Sequence, residues 1–76
     1  MPVLRRKFGR KLRQTRVHRG LSQEQFAELI GVCVDFLSLI ERGINAPSFE
    51  RLELMAERLK VQVADLFQFE DEETKG

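Results

Sequence analysis

The stretch LSQEQFAELIGVCVDFLSLIERG, residues 21–43, decides how this chain folds. Ser22 with Gln25 three residues later is a capping-box pattern, and Phe26, Ala27 and Ile30 follow at helical spacing, which predicts a helix over about residues 22–30. Gly31 suits the left-handed conformation that ends a helix, Val32 offers an apolar plug, and Cys33 starts the next helix. Cys33 is a poor N-cap, but Asp35 in the first turn complements the helix dipole. On this second helix a step of about 100° per residue puts Leu37, Ile40 and Glu41 on one face. Asp35, Leu39 and Arg42 fall on the other, Ser38 and Phe36 on the flanks, and Gly43 closes the helix.

Outward from this pair, Phe8 and Leu12 stand four apart among bases, with Thr15 and Arg16 continuing the stripe, so residues 5–18 read as a preceding helix. On the other side GINAPS is a loop, and Ser48 caps a helix whose stripe is Leu52, Met55, Ala56 and Leu59. A short helical turn, VADLF, returns Val63, Leu66 and Phe67 to the core. With no strand pattern and no internal repeat, five helices account for an all-α chain. Residues 1–69 are expected to form one domain, and the acidic residues 70–76 a frayed tail.

Seventy-six residues, 42% hydrophobic and 33% charged, suffice for one small core and leave no room for a long catalytic cleft. A single cysteine, Cys33, excludes an internal disulfide and fits a reducing cytoplasm. With His18 the only histidine, a tetrahedral metal site lacks ligands, so neither metal nor cofactor is expected. The basic start MPVLRRKFGRKLR has no apolar run behind it and no segment is long enough to span a bilayer, so we expect neither a signal peptide nor a membrane partner. Cys33, His18 and Ser22 or Ser38 are single residues with no implied convergence, and the chain is expected not to be an enzyme.

A formal net charge of +1 hides an asymmetry along the chain. Residues 1–22 hold Arg5, Arg6, Lys7, Arg10, Lys11, Arg13, Arg16 and Arg19 with no acid, while the remainder holds five bases and twelve acids. Such a split points to a side facing a polyanion, with a solvated basic helix face as the alternative. Two short helices joined by a glycine-led turn form a helix-turn-helix, in which the first braces the second so that its outer face can enter the major groove of DNA. The spacing alone also serves plain helix packing.

The stretch from Leu21 to Phe67 resembles the DNA-binding domain of the phage-repressor and Cro type (Xre-like) helix-turn-helix family. The shared features are Ser22-Gln23-Glu24, Ala27, Gly31 in the turn, Ser38, the string Ile40-Glu41-Arg42-Gly43, and Pro47-Ser48. This resemblance implies a compact five-helix lambda-repressor-like domain with its helix-turn-helix over about residues 22–42. It further implies a sequence-specific transcriptional regulator that binds double-stranded DNA as a homodimer on a pseudo-palindromic operator. Size and the segment FLSLIERG also resemble the controller proteins of restriction-modification systems. A bare domain of this kind acts by occupying a promoter or by touching RNA polymerase.

Carried over position by position, the resemblance puts Gln23 at the start of the first helix of the motif, where the family contacts phosphate, helped by its neighbouring backbone N–H groups. Val34, Asp35, Phe36 and Leu39 fall on base-facing positions, Ser38 and Arg42 near the groove edge, and Asn45 in the loop as a phosphate donor. Arg10 and Arg13 could add backbone attraction, while Arg5 and Arg6 read equally well as solvated. Arg16 and Glu41 both lie on inward stripes, where an unpaired charge is costly, and are expected to pair.

The base-facing positions depart from the family's polar pattern. Valine, phenylalanine and leucine offer thymine-methyl contact or shape exclusion instead of bidentate hydrogen bonds, although Asp35 could accept from cytosine N4. Phe36 reads equally well as packed inward, and an exposed Leu39 is either a thymine contact or part of a protein-binding patch. The competing reading is therefore a protein-interaction module, antitoxin-like or adaptor, that uses the apolar face of the third helix. For a dimer, Phe67 and Phe69 leave apolar area at the far end of the chain, with Phe67 equally suited to the core.

Overall fold

In a computed structural model, which describes residues 3–69, the chain forms α1 (Val3–His18), α2 (Gln23–Ile30), α3 (Val34–Glu41), α4 (Phe49–Leu59) and a 3-10 helix (Val63–Phe67). The boundaries follow local capping chemistry. Ser22 accepts from the Gln25 backbone N–H at 3.1 Å while Gln25 Oε1 accepts from the Ser22 N–H at 2.9 Å, so both halves of the capping box are made. Ser48 likewise accepts from the Arg51 N–H at the start of α4. Gly31 sits at φ +81°, and its N–H and that of Val32 both donate to the Ala27 carbonyl. That arrangement ends α2 and turns the chain into α3 within three residues.

Two details differ from the sequence reading. α1 begins at Val3, because neither glycine nor proline interrupts residues 3–5. The fifth element is a 3-10 turn instead of an α-helix: Asp65 N–H donates to Gln62 and Gln68 N–H to Asp65, each three residues back, and five residues are too few to settle an i→i−4 ladder.

The core is built by one stripe from each helix. Phe8 and Leu12 from α1, Phe26, Ala27 and Ile30 from α2, Leu37 and Ile40 from α3, and Leu52, Met55, Ala56 and Leu59 from α4 are all buried, with Leu66 closing one end. α1 crosses α3, α2 packs on both α3 and α4, and the 3-10 helix lies against α1 and α4. Gly9 permits the first of these crossings. A Cβ there would run into the Ile40 carbonyl oxygen and stand 3.0 Å from that of Glu41, so the backbone of α1 lies directly on the C-terminal turn of α3.

Candidate nucleic-acid interface

A helix that is to present side chains to a duplex has to be held by its other face, and in α3 that hold is concentrated at the C-terminal end. Arg16 donates from Nε to Glu41 Oε2 at 2.8 Å and from Nη2 to Oε1 at 3.3 Å. Its Nη1 donates to the Leu21 carbonyl at 3.0 Å. The Glu41 side chain is only 3% exposed and that of Arg16 13%, so the pair is made in a setting where either charge alone would be costly. Gln23 completes the arrangement by donating from Nε2 to Glu41 Oε1 at 3.0 Å. One carboxylate thus ties together the end of α3, the start of α2 and the last turns of α1.

The same end is closed by a second near approach. Gly43, at φ +77°, leaves its α carbon so close to α1 that an added Cβ would lie 2.7 Å from Arg6 Cγ. Arg5 reaches over the same loop, donating from Nη1 to the Ile44 carbonyl at 2.9 Å. Arg6 therefore stands beside the edge formed by Arg42 and Asn45, and exposed Arg10 and Arg13 continue along that side of α1 at helical spacing.

The outward side chains divide by depth. Asp35, Arg42 and Asn45 are exposed, whereas Ser38 and Leu39 are half-buried. Val34 and Phe36 are also half-buried and pack against the core, so each shows only part of its surface on the outside of α3. Asn45 Oδ1 accepts from the neighbouring Ala46 N–H, and the Asn45 N–H donates to the Leu39 carbonyl, which fixes the loop where it leaves α3. At the other end Cys33 is the N-cap of α3 without a side-chain hydrogen bond.

The structure therefore brings Gln23, Ser38, Leu39, Arg42 and Asn45 onto or beside one surface around α3, and turns the Gln23 side chain toward Glu41. Sequence reasoning left Arg6 open between backbone attraction and a solvated face, and passed over Gly9 altogether. The only signal for either was spacing: Arg6, Gly9 and Arg16 share one side of α1, and that is the side laid on α3. Among the described residues no group of three or more histidine, cysteine, aspartate or glutamate side chains could hold a metal ion. No described helix is long and apolar enough to cross a membrane.

Comparison with known proteins places this geometry. A family model described as helix-turn-helix matches residues 12–66. An uncharacterised HTH-type transcriptional regulator of Archaeoglobus fulgidus is 32% identical over 66 residues, covering 87% of this chain and 94% of that protein. The transcriptional repressor RstR of cryptic phage CTXphi from Vibrio cholerae is 37% identical over 59 residues, covering 78% of this chain and 53% of that protein, so this chain matches about half of its length. Among solved structures, the restriction-modification controller protein C.AhdI from Aeromonas hydrophila superposes with a TM-score of 0.75 at 35% identity, covering 83% of this chain and 91% of that one. A hypothetical transcription factor, NHTF, from Neisseria gives a TM-score of 0.79 at 30% identity, covering 95% and 83%.

Proposed function

The chain belongs to the helix-turn-helix family of DNA-binding transcriptional regulators, and from that premise we propose that it binds a pseudo-palindromic operator as a homodimer, one α3 in each of two successive major grooves. The two recognition helices then lie about 34 Å apart. The observation that carries this reading is the hold on α3: its C-terminal end is fixed by Arg16, Glu41 and Gln23 while Asp35 and Arg42 stand free on the outer side. A helix oriented from behind in this way can place side chains against base edges reproducibly.

In this proposal residues 1–69 are the DNA-binding domain, and residues 70–76, read from the sequence as an acidic tail, lie outside the described residues. The backbone N–H groups at the start of α2 beside Gln23, together with Arg42, Asn45 and Ser38, hold phosphates and groove edges. Asp35 accepts from cytosine N4, and Leu39, with the exposed parts of Val34 and Phe36, makes thymine-methyl contacts. Arg6, Arg10 and Arg13 add attraction along the flank. The protein works in the cytoplasm, by occupying a promoter or by contacting RNA polymerase, and performs no catalysis.

An interaction module built on the apolar side of α3 receives less support, because Val34 and Phe36 spend part of their surface on the core. Selection of bound duplexes from a random pool tests the choice. The expected product is a palindrome with thymine at groove positions, and affinity for it should fall with salt at a slope of about −5 if six phosphates are neutralised. Failure to enrich any sequence at low salt would transfer the case to the interaction module.

A further inference from the structure

We propose that the groove between α1 and α4 is the surface on which a second copy of this chain docks, each protomer inserting Phe49 into the groove of the other. This inference rests on the homodimer reading above and names where that dimer is made. The groove has a volume of about 320 Å3. Phe8, Leu52 and Phe67 form its floor, and Leu4, Pro47 and Phe49 its lips. The floor is closely packed: the Phe8 and Phe67 rings lie 5.1 Å apart at a tilt of 31°, and Phe69 meets Phe67 edge-on at 6.2 Å. Those contacts draw Phe67 into the floor, so the apolar area offered to a partner is that of the lips. Phe49 is 82% exposed and Leu4 58%, although both border a cavity able to take an aromatic ring.

Three observations select a second copy as the occupant. A protruding phenyl ring beside a ring-sized groove is complementary to itself under a two-fold axis, the requirement of an isologous interface. The charges at the edge are complementary in the same sense: Arg5, which keeps donors beside the Nη1 engaged with the Ile44 carbonyl, lines the groove on the α1 side, and exposed Glu53 follows Phe49 by one turn on α4, so the two-fold brings each arginine toward the partner's glutamate. Finally, Ala46 and Pro47 line the groove within the loop that also carries Asn45. The axis therefore passes along the inner margin of each DNA-facing surface, where the midpoint between two half-sites has to fall.

Sedimentation equilibrium of the full chain, alone and on its selected operator, provides the test. The wild-type chain should dimerise and Phe49→Glu should raise its dimer dissociation constant by about 100-fold, a hot-spot loss. The melting temperature of that variant, taken at dilution where both chains are monomers, should match wild type, because an exposed first residue of α4 contributes little to the core. Arg5→Glu and Glu53→Arg should each weaken the dimer, and mixing the two variants should restore it. A wild-type dimer that Phe49→Glu leaves as tight, or a mixture no tighter than its components, overturns this surface while the homodimer reading stands. A wild-type chain that stays monomeric free and binds its operator as independent single copies overturns both.

Discussion

The two ends of α3 are built by different physics. At the C-terminal end the backbone of α1 rests on the carbonyls of Ile40 and Glu41 across Gly9, and the Glu41 carboxylate accepts three hydrogen bonds from Arg16 and Gln23. At the N-terminal end Cys33 caps the helix without a side-chain bond, and Val34 and Phe36 are held by apolar packing. Directional bonds and a close backbone crossing accept few substitutions. Apolar packing accepts many, provided volume is kept. The end that sets the orientation of α3 is thus held by different chemistry from the end packed through Val34 and Phe36, and residues of the second can change without disturbing the first.

Four substitutions break or sharpen this contrast. The largest effect is expected from Arg16→Ala, which leaves Glu41 charged and enclosed and should cost about 3–5 kcal/mol in a denaturant titration. Replacing both partners, Arg16→Met with Glu41→Leu, should recover much of that loss, and an unmoved midpoint in the single variant would remove the clamp from the account. Gly9→Ala comes next, with α1 forced off α3 at about 1–3 kcal/mol; operator affinity should fall with it, because the angle of α3 changes.

On the outer side of α3, Leu39→Gln should leave melting within about 0.5 kcal/mol of wild type. Its effect belongs in the selected DNA, as a change of preference at one base pair per half-site, about 1–3 kcal/mol of discrimination. Unchanged preference would take Leu39 out of the reading surface. The smallest effect is a gain: Cys33→Ser supplies the missing cap and should stabilise the fold by about 1 kcal/mol, read as a higher urea midpoint.

Helix boundaries were legible in the sequence because their causes are local. Ser22 with Gln25, Gly31 and Ser48 each act within a few residues, and each stands at a boundary of the fold. The inward positions of Arg16 and Glu41 followed from periodicity, whereas the part taken by Gln23 in the same cluster did not, since a first-turn glutamine can turn toward solvent or toward a neighbour. Gly9 was illegible for a different reason: its only demand comes from a helix some thirty residues later, and no local pattern announces a crossing. The depth of Phe36 was left open because it sits near the margin of a two-turn helix, where a small rotation decides between core and surface.

Consider last the arginines that reach across the molecule to carbonyls at the ends of other helices. Arg58 donates to the Leu29 carbonyl and Arg51 to that of Gly31, from α4 to the end of α2; Arg19 donates to Leu59, from the end of α1 to the end of α4; Arg5 spans to Ile44 beyond α3. Each of these three helix ends is finished by a side chain that another helix supplies, so opening one releases its neighbour. In native-state hydrogen exchange the amides of Gly31 and Val32, although in a three-residue turn at the surface, should therefore exchange only through openings that also expose α4, and the reading unit and its support should behave as one foldon.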